Sequence, residues 1–224
     1  APGFPFESNG DIDVSPSILV IDDEAVIIAG SNDQHLYGIN SDGSLRFSFQ
    51  ANDDIITSPS YLNYMNDCYI FFGDNDGYIY AIDPNGNVYS NFPIYLGSPV
   101  TQSIIFSDLD SDMQPEFIFG TEDGTLYAAQ LNGSLYYNMP IEYPFSFTSS
   151  PLVYNIDEDE DLEIIAGTNL SLYAIDIKQA GNVQEYWSMY KGRPTRDGVH
   201  QFIPMCITGD LNEDGNNDIL DILQ

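Results

Sequence analysis

The chain has 224 residues, 35 of them acidic and 5 basic, giving a formal net charge of −30. A surface so poor in Lys and Arg repels nucleic acid and anionic membranes, whose binding depends on those side chains. No apolar run approaches the roughly 20 residues that cross a bilayer, so neither nucleic acid nor membrane insertion is expected.

The opening APGFPF reads as mid-domain sequence, with a leader already removed. Phe4-Pro5-Phe6 resembles Phe92-Pro93-Ile94 and Met139-Pro140-Ile141 further on. It is expected to be the outer strand of a blade or the strand that closes a ring. Then come four apolar runs, each ended by glycine: VIIA before Gly30, YIFF before Gly73, EFIF before Gly120 and EIIA before Gly167, at intervals of 43 to 47 residues. Each run is short and bounded by turn residues, the pattern of a strand buried on both faces. A partner strand follows each: Leu36-Tyr37-Gly38-Ile39, Ile79-Tyr80-Ala81-Ile82, Leu126-Tyr127-Ala128-Ala129 and Leu172-Tyr173-Ala174-Ile175. Ser-Pro steps at Ser15-Pro16, Ser58-Pro59 and Ser150-Pro151 lie upstream of three of the runs.

A period near 45 residues with four strands per unit is that of a propeller blade. The spacing predicts an all-β fold, a β-propeller of about four visible four-stranded blades at roughly 14–50, 57–96, 100–142 and 148–190. Four is the lower limit for a ring, so the blades are either part of a larger ring or closed by terminal strands. The propeller repeats are placed at 1–198 and a C-terminal calcium-loop segment at 199–224. Gly38, Ala81, Ala128 and Ala174 are read as the small residues that let blades pack closely. Trp187-Ser188-Met189-Tyr190 is read as the last strand of blade four, and Lys191, Arg193 and Arg196 as an exposed basic turn or a partner for acidic loops.

Three segments set oxygen-bearing side chains at alternate positions: Asp108, Asp110, Asp112 and Glu116; Asn155, Asp157, Asp159, Asp161 and Glu163; and Asp210, Asn212, Asp214, Asn216 and Asp218, with Asp221 beyond. Calcium takes six to eight oxygens in flexible geometry, which alternating carboxylates on a tight loop supply, whereas magnesium demands a stricter octahedron. The absence of neighbouring His and Cys argues against zinc and copper. Met113 stands where such loops usually carry glycine. In blades one and two Asp22-Asp23-Glu24 is too short and Asn63 to Asp67 is degenerate, so both are expected to be metal-free. The remaining acids are read as solvated surface.

DLDSDMQPEFIFG and NIDEDEDLEIIAG resemble the FG-GAP (VCBS-type) repeats of integrin α-subunit heads and many bacterial surface proteins. The resemblance spans about 10–190 and implies a β-propeller with calcium in loops between strands of a blade. GTEDGTLYA also resembles quinoprotein-type propeller repeats, without that family's tryptophan docking motif. DLNEDGNNDILD is similar both to a fifth such loop and to the first half of a dockerin.

Catalysis is not expected. His35 and His200 lie outside any nucleophile motif, and there is no P-loop or dinucleotide fingerprint. Cys68 reads as a small apolar filler. Asn132-Gly133-Ser134 and Asn169-Leu170-Ser171 fit the glycosylation sequon. The leading expectation is a calcium-binding, extracellular or cell-surface adhesion and recognition module for a glycan or protein ligand. Two alternatives stand beside it: a structural subunit assembling into a homo-oligomer or polymer, and an accessory or catalytic propeller of a polysaccharide-degrading enzyme.

Overall fold

The computed structural model describes residues 3–100, 102–157, 159–183, 186–192, 195–196 and 198–202. The described secondary structure is all strand, in four sheets. The first contains β1 (Ser17–Ile21), β2 (Glu24–Gly30), β3 (His35–Asn40) and β4 (Leu45–Gln50). The second contains β5 (Ser60–Tyr64), β6 (Asp67–Gly73), β7 (Tyr78–Ile82) and β8 (Ile94–Tyr95). The third has β9 (Ile105–Ser107), β10 (Glu116–Gly120), β11 (Thr125–Gln130) and β12 (Ile141–Glu142); the fourth has β13 (Leu152–Tyr154), β14 (Asp161–Gly167) and β15 (Leu172–Ala180). A last strand, β16 (Val199–Gln201), pairs parallel with β1. Within every sheet, consecutive strands pair antiparallel. This is a partial β-propeller, with each sheet a blade.

The glycine that ends the apolar run in blades one to three is explained by the neighbouring blade. A Cβ on Gly30 would lie 2.5 Å from Ile55, and one on Gly120 would lie 2.5 Å from the Phe147 ring. Ile55 and Phe147 are both on segments that lead into the next blade, and both are buried. Two apolar clusters run between blades: one joins blades one to three through Phe71, Phe106 and Phe117, the other joins blades three and four through Ile118, Leu126 and Ile164. Burying sheet faces between blades in this way stabilises strands that could not stand alone.

The small residues divide the blades into two kinds. Ala81 and Ala128 are fully buried, whereas Ala174 is exposed. Leu172 is 76% exposed, and β15 is open along most of its length. Blade four therefore has three described strands and an uncovered outer face.

Trp187 to Tyr190 is not the missing fourth strand. It lies against the first strands of blades three and four: Phe106 N–H donates to the Trp187 carbonyl at 2.9 Å, and Val153 N–H to the Ser188 carbonyl at 3.0 Å. The chain's single tryptophan is buried there, edge-on to Tyr61 of blade two at 5.2 Å. The segment then reaches blade one, where Ile18 N–H donates to the Gly198 carbonyl, and blade two, where His200 Nε2 meets Asn63 Oδ1 at 2.9 Å. Residues 187–188 and 198–200 thus touch the first strand of all four blades. Burial of an indole and a set of backbone hydrogen bonds outweighs what one more edge pairing on β15 would contribute.

Lys191 is part of this axial segment and is not an exposed turn residue. It is buried, and its ammonium donates to the carbonyls of Ser15 and Pro16 at 3.1 and 2.6 Å and to Ser17 Oγ at 3.2 Å. Burial lowers its pKa to about 8. At the other end, Gly3 and Phe6 pack on blade one, Phe6 against the Tyr37 ring at 5.1 Å, and residues 3–13 form no strand. The Phe4-Pro5, Phe92-Pro93 and Met139-Pro140 bonds are all cis.

Candidate metal centres

The two acidic loops that fall within the described residues are the β9–β10 and β13–β14 connections, the same connection in successive blades. In blade one that connection is a two-residue turn at Asp22 and Asp23, with φ of 50° and 63°, the left-handed pair that a tight hairpin requires. The third sequence-predicted loop, Asp210, Asn212, Asp214, Asn216, Asp218 and Asp221, lies outside the described residues, as does Cys206. Cys68 is a buried free thiol whose pKa burial raises to about 12.

The blade-three loop is built around buried acids. Asp108 is 3% exposed and Glu116 is fully buried. The Asp108 carboxylate accepts from the N–H groups of Asp112 at 3.1 Å and Met113 at 3.0 Å, which folds the loop back on itself. That fold puts Ser111 and Met113 in the left-handed region at φ 57° and 66°, which is why glycine is usual at the Met113 position. Glu116 Oε2 accepts from Leu109 N–H at 2.9 Å. In blade four Glu163 Oε2 accepts from Ile156 N–H at 2.7 Å in the same way.

Carboxylate oxygens of Asp108, Asp110 and Glu116 lie within 4.8 Å of one another, as do those of Asp157, Asp159, Asp161 and Glu163. Oxygens held at 2.3–2.6 Å from one calcium ion are at most about 5 Å apart, so both groups have the right compass. Two predicted ligands serve the loops instead. Asp112 turns to the loop exit, where its two oxygens take the backbone and side-chain N–H of Gln114 at 2.7 and 2.9 Å. Asn155 donates its amide to the Asp159 carbonyl.

The decisive observation is what these carboxylates lack. Asp110 Oδ1, Glu116 Oε1, Asp161 Oδ1 and Glu163 Oε1 are buried and have no hydrogen-bond partner among the described residues. A buried carboxylate oxygen without a donor is strongly unfavourable unless a cation meets it. Each Glu is anchored by one oxygen, and in each loop the other oxygen faces a cluster of like charge. Without an ion, burial and then the charges of Asp110, Asp112 and Asp108 outweigh the Leu109 hydrogen bond and push Glu116 up to about 7. Asp110 is raised by burial and by Asp112 and Asp108. In blade four Asp161 is raised to about 6, first by the Asp159 carboxylate beside it and then by desolvation. The donors that would hold an ion are therefore Asp108, Asp110 and Glu116 in one loop, and Asp157, Asp159, Asp161 and Glu163 in the other.

One neighbour was not foreseen from the sequence. Lys178 on β15 contacts Asp176 and brings its ammonium to 3.9 Å from Asp161. It stands across the sheet from the loop, seventeen residues beyond Asp161 in the chain. His35 is engaged by Asp33 of its own hairpin, Nδ1 to the carbonyl at 2.8 Å, and His200 by Asn63 and the Tyr61 ring.

The sequence profile of the lambda-carrageenase β-propeller domain matches residues 13–94, the first two blades, ahead of both acidic loops. No curated protein sequence matches the chain. Among solved structures, BamB from Moraxella catarrhalis is similar at TM-score 0.53 and 15% identity, over 77% of this chain and 48% of that one. BBS1N in complex with ARL6DN gives TM-score 0.53 at 15% identity, over 72% of this chain and 46% of that one. Sqt1 of Saccharomyces cerevisiae gives 0.52 at 16%, over 67% and 40%. The chain spans about half the length of the first two, and at such identities the likeness is one of fold.

Proposed function

We propose that this chain is a non-catalytic, calcium-binding propeller module that works outside the cell or at its surface, recognising a glycan or a protein. The four donorless buried carboxylate oxygens carry the reading. They support loops of FG-GAP (VCBS) type in blades three and four, with the dockerin-like segment Asp210 to Asp221 as a third site. A calcium ion in each loop supplies the positive charge that this acidic chain does not provide from its own side chains, and it fixes the connection between the first two strands of a blade. Protein recognition is favoured by the complex in which the similar BBS1N was solved.

A second reading has its own support. The profile match to a carrageenase propeller domain favours an accessory role beside a polysaccharide-degrading enzyme. The open edge of β15 favours self-assembly less strongly, since exposed charges such as Asp176 and Lys178 along it discourage pairing. Calcium-45 equilibrium dialysis tests the leading reading. It is expected to count one ion per loop, with one ion lost in Asp157→Ala and one in Asp214→Ala; full stoichiometry in both variants would overturn the ligand assignment.

A further inference from the structure

A cleft of about 260 Å³ opens between blades two and three, bounded by Tyr64, Tyr69, Tyr89, Asn91, Gln114 and Gln130 among others. We infer that this cleft is a binding site for an uncharged saccharide. The inference rests on the recognition reading above and gives it a place and a ligand class.

Its chemistry sets it apart from the rest of the surface. The chain carries 35 acidic residues, yet the cleft lining contains no Asp, Glu, Lys, Arg or His. It consists of rings, amides, a hydroxyl and small apolar groups. Tyr69 and Tyr89 stack on each other with centroids 4.1 Å apart, making a rigid two-ring wall of the sort that pyranose C–H faces pack against. Such a wall loses little conformational freedom on binding. The volume lies just below the roughly 300–1,000 Å³ of small-molecule sites, which suits a sugar ring with its neighbours in solvent.

The amides are held ready. Asn91 donates through Nδ2 to the Leu131 carbonyl at 3.2 Å, Gln114 through Nε2 to Asp112 at 2.9 Å, and Gln130 accepts at Oε1 from Ser134 Oγ at 3.0 Å. One end of each amide is thus tied to the protein, leaving Asn91 Oδ1, Gln114 Oε1 and Gln130 Nε2 to be met by a ligand. Acceptors and a donor beside rings match hydroxyl groups, each of which both donates and accepts. A sulfate ester or uronate would find no cation here and would face the field of a strongly acidic protein. The cleft therefore selects against sulfated saccharides.

The test is isothermal titration of the full chain in calcium buffer with two galactan hexasaccharides, uncharged agarohexaose and sulfated λ-carrageenan hexasaccharide, alongside uncharged mannohexaose and cellohexaose. At least one uncharged hexasaccharide is expected to bind. Tyr89→Ala should weaken it at least about tenfold, and Gln130→Ala by about three- to tenfold, the loss of a wall and of one hydrogen bond. Tyr95→Ala, which removes an exposed ring outside the cleft, should leave affinity unchanged. Gln130 is only partly buried, so its variant reports even where Tyr89→Ala lowers the melting temperature. No binding of any uncharged probe, tighter binding of the sulfated one, or undiminished binding in both variants would each overturn the proposal. Calcium counted by dialysis on the same samples separates this from the broader reading, since Tyr89→Ala should keep its full complement of ions.

Discussion

The acidic loops of blades three and four share one frame and differ in what surrounds it. In both, a Glu on the second strand pins the loop's second residue through one carboxylate oxygen and leaves the other bare. The blade-three loop is closed over: Asp108 and Glu116 are buried, and the backbone of Asn182 crosses it, with Asn182 N–H donating to the Asp108 carbonyl at 2.7 Å. The blade-four loop is open: Asp157 and Asp159 are exposed, and Lys178 stands close by. Two related clusters, three carboxylates in one loop and four in the other, are therefore placed in two dielectric settings. In the closed loop only an added ion can balance the charge; in the open one, solvent and a lysine already do part of that work.

Removing the ions from both loops should have the largest effect. With calcium a hundredfold above Kd, each occupied loop adds about 2.7 kcal/mol. For a domain of this size that corresponds to a fall of about 10–20 °C in Tm on adding EDTA, read by differential scanning calorimetry; an unchanged melt would end the calcium reading for both loops.

Glu116→Gln tests the closed loop alone, and its effect should change sign. In calcium it should lose one ion and lower Tm by about 5–10 °C. In EDTA it should raise Tm by a few degrees, because the amide still accepts from Leu109 while the crowd of carboxylates loses a member. Glu163→Gln should show a weaker reversal, since Lys178 already offsets its cluster. Equal reversals in the two would erase the contrast between the loops.

Next in size is Lys178→Met. Freed from a competing ammonium, the blade-four loop should bind calcium about three- to fivefold more tightly, as suits a mostly exposed pair, with blade three unchanged by calorimetric titration. Smallest is Met113→Gly, which relieves a left-handed L-residue. Set against the flexibility that glycine adds to the unfolded chain, it should stabilise by about 0.5–1 kcal/mol, measured by urea denaturation.

The acidic clusters were legible because their members are neighbours in the chain: Asp108, Asp110 and Glu116 come together in one loop, and Asp157, Asp159, Asp161 and Glu163 in the next. The blade period was legible for a similar reason. Gly30, Gly73 and Gly120 mark contact points with Ile55, Val100 and Phe147 on the segments leading into the next blade. What escaped sequence reading depends on approach between distant parts of the chain. Lys178 reaches Asp161 from the adjacent strand, Trp187 finds Tyr61 in another blade, and the saccharide cleft joins Tyr64 and Tyr89 of blade two to Gln114 and Gln130 of blade three. Ala174 shows the converse limit. Its place in the repeat is that of Ala81 and Ala128, but the pattern of a repeat does not reveal whether a neighbour covers it.

The placing of Trp187 and Lys191 against the first strands of the blades also bears on how the molecule is made. Both residues leave the ribosome after all four blades, so the nascent sheets must wait with Tyr61, Phe106 and the carbonyls of Ser15 and Pro16 facing a vacant hub. Trp187 and Lys191 then tie together the first strands of sheets that their apolar clusters already join face to face. A chain cut just short of Trp187 would keep the four described sheets yet leave Tyr61 and Phe106 without the partners that cover them.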